Sequence, residues 1–463
     1  MFVTHRAGGR GCTAAGRSAF MPLVGHGVYT WLAMLVAIVF LAGGLRAEEA
    51  RLIIITPHSG PIRFEFERGF SRWHKARYGT AVAVEWRDVG GTTDALKFVQ
   101  SEFARKPDGI GMDCFFGGGV EPYLLLMDKK MTLSYRPAAE SLQGVPEKLH
   151  GLDIYDPQFN WYAAALSSFG ILQNTRLQEI SHLPLVRRWE DLSQPKLFGL
   201  VGAGDPRNSG TMNSMFEAFL QAFGWDKGWN VLARIGGNVR KFDRLSPTTA
   251  KDVTMGETVY GFAIDFYGFT QVAMAGRTNM TFVLPDDFTA INPDGICLLK
   301  GAPNAVTAQR FIDFILSEEG QRLWFLPCGH PLGPTRYSIE RMSIRPDFYA
   351  RYKKVSNIEF SPFDLKQNFR YDNKLARDRR DVVSALVGTL LVDTHGELSA
   401  AWKAVIARGL RPEDLAELGT VPITADEALK LAKGKFKEPA FRNVKLIEWQ
   451  TWAQQKYRRL AAR

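Results

Sequence analysis

The chain has 463 residues, 46% of them hydrophobic and 12% aromatic, which is enough to bury a large core and too much for one typical domain. Its formal charge of +10 would point to a nucleic-acid partner only if the basic residues formed a concentrated stripe. They do not: residues 1–47 carry four Arg and no acid, residues 48–340 carry 30 basic against 33 acidic groups, and residues 341–463 carry 24 against 15. The body is slightly acidic, so no nucleic acid is expected as a partner.

Residues 1–47 have the order of a secretory signal peptide. Arg6, Arg10 and Arg17 come first, then the apolar run Trp31 to Ala42, then Gly43-Gly44-Leu45-Arg46-Ala47, with Ala47 as the expected cleavage point. The unbroken apolar run is shorter than the ~20 residues a spanning helix needs. The expected location is therefore periplasmic. The exported chain would hold Cys114, Cys297 and Cys328, an odd number, so at most one disulfide forms; Cys297 and Cys328 are the favoured pair, with buried free thiols as the alternative.

After the leader the chain alternates strand, glycine turn and helix. Arg51-Leu-Ile-Ile-Ile-Thr56 reads as a buried strand, and the helix after it starts at Ser59, with Pro61 in its first turn, and stops at Gly79. Ala81 to Trp86 is the next strand, followed by Gly90-Gly91-Thr92-Thr93 and a helix around Ala95 to Phe103. Met112 to Phe116, then Gly117-Gly118-Gly119, repeats the grammar a third time. Such repetition indicates an open α/β sheet with its ligand crevice beyond the strand ends.

The apolar run from Asn160 to Gln173 suits a strand crossing between lobes. A second α/β unit follows, with Lys196 to Val201 as a strand, Asp205 to Thr211 as its loop, and Met212, Met215, Phe216, Phe219 and Phe223 as one face of a helix. Met280 to Leu284 and Gly295 to Leu299 read as strands returning to the first lobe. The organisation expected is a signal peptide at 1–47, lobe one at 48–160 and 281–342, lobe two at 161–280, and a helical C-terminal extension at 343–463. Arg377 to Leu391 and Glu397 to Ala407 are the helices expected in that extension.

Three segments carry a family resemblance: Asp205-Pro-Arg-Asn-Ser-Gly-Thr211, Ala263-Ile-Asp-Phe-Tyr267, and Asn292-Pro-Asp-Gly-Ile-Cys-Leu-Leu-Lys-Gly-Ala-Pro-Asn304. The last leads into the helical stretch Ala308 to Trp324. In this order on an exported chain, residues 51–340 resemble the type II periplasmic solute-binding proteins of ABC transporters, in the iron(III)/thiamine/phosphonate-like group. The resemblance implies a two-lobed fold with a hinged cleft, a small-molecule ligand, a transporter permease as partner, a monomer, and no catalysis. The extension beyond residue 345 lies outside it.

Helix N-termini expose unpaired N–H groups and a partial positive charge, so several converging on one cleft would hold an anion. Four such termini are expected, at Ser59-Gly60, at Gly91-Thr92-Thr93, at Gly117-Gly118-Gly119 and at Ser209-Gly210-Thr211, with His58 a separate candidate after the first strand. The Ser209-Gly210-Thr211 terminus ranks first, because it also matches the resembled family's second-lobe binding loop; ordinary cap chemistry is the alternative for each. Asp265 and Tyr267 are further ligand-binding candidates at a strand end, or else a cap and a packed ring. Arg63 could assist an anion from the first helix. The resembled iron-binding proteins imply a histidine ligand near His58, but the adjacent tyrosine pair of many such sites is missing here. A small anionic organic or phosphate/phosphonate-like ligand is therefore expected ahead of ferric iron, with no cofactor and no resident metal. The sequence has no Gly-x-Ser-x-Gly, His-Glu-x-x-His or Cys-x-x-Cys, which leaves hydrolase, zincin and thiol-redox readings without a motif. A ligand sensor remains an alternative to a transport component.

Overall fold

A computed structural model describes residues 49–463 apart from positions 150, 359 and 366–368, so the expected signal peptide lies outside the described residues. The first strand, β1 (Ala50–Ile55), is almost wholly buried because both its faces are covered. Leu52 and Ile54 pack into one apolar cluster and Ile53 and Ile55 into another, the two-residue alternation of a strand between two helix layers. Helix α1 (Gly60–Tyr78) buries Ile62, Phe66, Phe70 and Trp73 on one stripe and ends at Gly79, whose φ of 78° is the left-handed conformation glycine adopts without strain.

The pattern continues through β2 (Val82–Arg87), α2 (Thr92–Arg105), β3 (Cys114–Phe116) and α3 (Glu121–Asp128). The 13-residue strand β4 (Tyr162–Asn174) is buried along its whole length. After it come β5 (Val201–Gly204), α4 (Gly210–Ala222), α5 (Trp225–Asn238), β6 (Val239–Asp243), α6 (Ser246–Met255), β7 (Tyr260–Ile264), α7 (Asp265–Ala275) and β8 (Met280–Val283). Strand β9 (Ile291–Leu299) then leads into α8 (Ala305–Leu316) and α9 (Glu318–Phe325). The expected strand at Lys196 to Val201 is instead a short 3-10 turn at Pro195–Leu197, with the strand beginning at Val201. Pro195 fixes its own φ and has no N–H to give a ladder.

The main sheet runs β2-β1-β3-β9-β4-β7-β5-β6, with β8 also on β4 and the short strand Thr132–Leu133 on β9. Strand β4 joins the two halves. Its first part, Tyr162 to Ser168, pairs with β9, and its second part pairs antiparallel with β7 and β8. This is the two-lobed α/β architecture of type II periplasmic binding proteins, with β4 and β9 as the long strands at the hinge. No helix among the described residues is long and apolar enough to cross a membrane.

The C-terminal region is helical from Asn373 onward: α10 (Asn373–Val387), a π-helical turn at Gly388–Val392, α11 (His395–Ala407), α12 (Pro412–Gly419), α13 (Ala425–Lys433) and α14 (Pro439–Ala462). Asp372 caps α10 by accepting from the Leu375 amide at 2.9 Å. The extension is fused to α5. A Cβ on Gly237 would lie 2.5 Å from the Trp402 side chain, and Trp402 Nε1 donates to Asn238 Oδ1 at 2.7 Å. Its basic residues are not all solvated: Arg379, Arg380 and Lys456 are buried. Of the two alternatives open for the cysteines, a Cys297–Cys328 disulfide and free thiols, the structure has free thiols. Cys114, Cys297 and Cys328 are free; Cys297 is buried in β9 while Cys328 is exposed.

Candidate functional site

The ends of β1 and β3, the start of β9, and β4 with β7 meet at a cleft of about 60 Å³, lined on one side by Pro57, His58, Thr92, Gly118, Gly119, Asn292 and Asp294 and on the other by Gly210, Thr211, Ser214, Phe266 and Tyr267. Ser167 and Phe169 of β4 and Arg341 complete the wall. The cleft is closed in this structure. A Cβ on Gly118 would lie 2.5 Å from Thr92, and one on Gly210 would lie 3.0 Å from the same side chain, so Thr92 is held between loops of opposite lobes. Ser214 Oγ also donates across the cleft to Glu121 Oε1 at 3.1 Å. The enclosed volume accommodates a few water molecules, so a larger ligand enters only if the lobes part.

The charged centre of the wall is a buried triad of which the sequence named only His58, not Asp294 or Arg341. Arg341 Nη1 lies 2.6 Å from Asp294 Oδ2, and His58 Nε2 lies 2.9 Å from the same oxygen. Arg341 also donates to Ser167 Oγ through Nη2 at 2.7 Å and stands 4.2 Å from the Phe266 ring centre, a cation–π contact. Burial alone would raise the Asp294 carboxyl, but the Arg341 charge and the His58 hydrogen bond hold it well below the usual carboxylate range. Burial lowers the His58 imidazole despite its bond to Asp294, which keeps the ring neutral. Arg341 follows α9 with no motif around it; Asn292 and Asp294 stood in the family-like segment but carried no signal separating them from a turn.

The four expected helix N-termini divide. Gly60 at the start of α1 is exposed and Ser59 is half-buried, and neither lines the cleft, whereas His58 just before them does. At α3, Gly117 N donates to Gly295 O at 2.8 Å and Gly119 N to Asp294 Oδ1 at 2.7 Å, and Glu121 opens the helix. The protein's own carboxylates thus serve that terminus, leaving little positive potential for a ligand. The termini of α2 and α4 remain: Thr92, Gly210 and Thr211 line the cleft, while Gly91 packs beside the Asn208 carbonyl and Ser209 is buried as a cap, accepting from Met212 N at 3.3 Å. Thr93 turns to the extension, accepting from Arg380. Arg63 bonds Asp88 at 3.1 Å, outside the cleft.

Asp265 sits behind the wall rather than in it. Its carboxylate accepts from Ser168 N at 2.8 Å and Phe266 N at 2.7 Å, and burial pushes it up to about 7 against the opposing pull of Arg341. Tyr267 lines the cleft, and burial pushes its phenol up to about 12, which disfavours the phenolate. Among the described residues no group of three or more His, Cys, Asp and Glu could hold a metal ion. The Arg341 guanidinium stands against both Asp294 and His58, and its positive charge makes them a poor donor set for ferric iron as cargo.

Residues 124–335 match the family model described as bacterial extracellular solute-binding protein. The phosphoglycerate transport regulatory protein PgtC of Salmonella typhimurium is 27% identical over 332 residues, which is 70% of this chain and 76% of the relative. Among solved structures, the periplasmic binding protein AfuA from Actinobacillus pleuropneumoniae, with fructose-6-phosphate bound, superposes with a TM-score of 0.61 at 19% identity, covering 74% of this chain and 99% of AfuA. Iron-bound HitA from Pseudomonas aeruginosa gives 0.55 at 17% identity, covering 73% and 99%. The C-terminal helical region extends past the family match, which stops at residue 335. Residues 124–335 thus carry the pattern of bacterial extracellular solute-binding proteins, and the fold around them is that of periplasmic binding proteins.

Proposed function

We propose that the protein is the exported, monomeric substrate-binding component of an ABC transporter, and that it captures a small phosphorylated organic solute by closing its two lobes, without chemistry on that solute. The observation that carries this reading is the two-sided chemistry of the cleft. Arg341 and the N-termini of α2 and α4 offer donors and positive potential, which suit an anionic group. Asp294 and the buried, unpartnered Asn292 Oδ1 offer acceptors, which suit hydroxyl or ammonium groups on the same solute. Bare phosphate satisfies one side alone. A relative named for phosphoglycerate transport and a structural neighbour with a bound sugar phosphate support the class. Gly210 and Thr211 with Thr92 would flank the anionic end, with Ser209 capping the helix behind them, and His58 and Tyr267 the body of the solute.

Isothermal calorimetry with 3-phosphoglycerate, fructose 6-phosphate, inorganic phosphate and ferric citrate tests this reading. The hydroxylated phosphate esters are expected to bind and inorganic phosphate to bind at least tenfold more weakly; ferric citrate alone producing heat would overturn it. A sensing role is the second reading, favoured by the word "regulatory" in the relative's name. Loss of uptake on deletion supports transport, whereas intact uptake with lost induction supports sensing.

A further inference from the structure

We infer that the C-terminal helix α10 is a clasp that spans the cleft and sets how far closure is favoured, so that the extension determines ligand affinity without touching ligand. The inference rests on the closure mechanism proposed above, but its main test needs no ligand.

Three nearly consecutive arginines of α10 reach both sides of the cleft. Arg379 is anchored in the second lobe: its Nη2 donates to Glu217 Oε1 of α4 at 2.8 Å and its Nε to the same carboxylate at 3.1 Å, both side chains being buried. Its neighbours face the first lobe. Arg380 Nη2 donates to Thr93 Oγ1 at 3.2 Å, next to Thr92 in the cleft wall, and Arg377 Nη1 lies 3.0 Å from Asp128 Oδ2 at the end of α3. Just before the helix, Tyr371 OH stands 3.5 Å from Glu121 Oε1, the oxygen that accepts from Ser214 across the cleft. A single rigid helix therefore holds one lobe by a buried ion pair and the other by two contacts that opening must break.

The extension also fixes the second-lobe binding loop. Arg207 bonds Asp205 at the start of that loop and pairs with Asp393 through both terminal nitrogens at 2.8 Å. The π-helical turn at Gly388–Val392 brings Asp393 there; a Cβ on Gly388 would lie 2.7 Å from the Arg207 side chain. Gly210 and Thr211, at the other end of the loop, line the cleft. The anchoring contacts are stronger than the gripping ones. The pair Arg379–Glu217 is buried and bidentate, whereas Arg377–Asp128 is partly exposed and Arg380–Thr93 is one charged hydrogen bond. The clasp accordingly stays with the second lobe and releases the first.

Small-angle scattering of the ligand-free chain tests this. The double variant R377A/R380A should give a larger radius of gyration than the unaltered protein, R377D should do so too, and adding D128R to R377D should return its value towards the original. With fructose 6-phosphate as probe, the double variant should bind on the order of tenfold more weakly, as expected for losing one partly exposed ion pair and one charged hydrogen bond. Arg379 is left in place because removing it would strand a buried carboxylate; thermal melting verifies that each variant folds, and R377A alone serves if the double variant does not. An unchanged radius of gyration in folded R377A/R380A or R377A overturns the clasp. No binding of the probe by any form, with the scattering change intact, would count against the ligand class and leave the clasp standing.

Discussion

Arg341 and Asp294 form a buried ion pair of 2.6 Å in the cleft wall, with His58 on the same carboxylate oxygen. A buried pair is weak evidence of stability, because desolvation offsets much of the attraction, but removing one partner leaves an uncompensated charge and costs about 3–5 kcal/mol. Arg341→Ala should lower the denaturant midpoint accordingly and abolish binding of phosphorylated solutes. Asp294→Asn should behave differently: it removes an acceptor and frees the Arg341 charge, so inorganic phosphate binds better while a hydroxylated phosphate ester binds worse. Calorimetry of both variants against both probes checks the pair of outcomes. Improved binding of both probes to Asp294→Asn would remove Asp294 as the acceptor for the solute.

Two buried groups next to that pair give stability opposite pH slopes. Asp265 titrates at about 7 in the folded chain, above its unfolded value of about 3.9, so the folded state holds the extra proton between those limits. Stability from this group is full below about pH 4 and falls by up to about 1.4 kcal/mol per pH unit until pH 7. The folded pKa of His58 is lowered by burial, so its contribution is lost as pH falls below about 6.5. Urea unfolding from pH 4 to pH 8 should show a flattened alkaline loss in Asp265→Asn and a flattened acid loss in His58→Gln. The same slopes in both variants as in the unaltered chain would contradict the two assignments.

Glycines 118 and 210 should separate backbone strain from closure. Gly118 has a φ of 96°, so Gly118→Ala combines strain with a Thr92 clash and should destabilise the fold by about 1–3 kcal/mol. Gly210 needs no special φ, and its Cβ would meet Thr92 first, 3.0 Å away across the cleft. Gly210→Ala should hold the lobes apart, keep the melting temperature and weaken ligand binding. Equal losses of stability in the two variants would mean that Thr92 is not an interlobe stop.

Thiol reactivity distinguishes the three described cysteines. Cys328 is exposed and should label quickly in the native protein. Cys114 and Cys297 are buried, and burial raises both thiols, so they should label only on unfolding. Mass spectrometry after native labelling checks this; protection of Cys328 that reductant removes would favour the Cys297–Cys328 pairing instead.

How much was legible follows from where the signals are local. Alternating apolar residues and glycine turns marked β1, α1, β2, α2 and β3, because strand period and helix stops depend on near neighbours. Pro195 was the missed local signal, since it displaced the strand to Val201. Thr92, Gly118, Gly210 and Thr211 were recognisable as candidates from the chemistry of helix N-termini. Whether each terminus is spare was not recognisable, because Asp294 meets Gly119 across 175 positions of chain. Arg341 reaches His58 across 283 positions, and no spacing rule carries information over that distance. The extension was read as helices, but its packing on α5 and its reach to Thr93 and Asp128 depend on side chains that look like ordinary surface arginines in sequence.

The central claim is that closure captures a solute carrying both an anionic group and hydrogen-bond donors. Its most direct measurement is the melting temperature at rising concentrations of 3-phosphoglycerate and fructose 6-phosphate, with inorganic phosphate and ferric citrate alongside, on the unaltered chain and on Arg341→Ala. At least one phosphate ester should raise the midpoint in proportion to the logarithm of its concentration, because ligand stabilises only the folded form, and the increase should vanish in Arg341→Ala. A midpoint unmoved by both esters, or raised by ferric citrate and equally so in Arg341→Ala, would contradict the account.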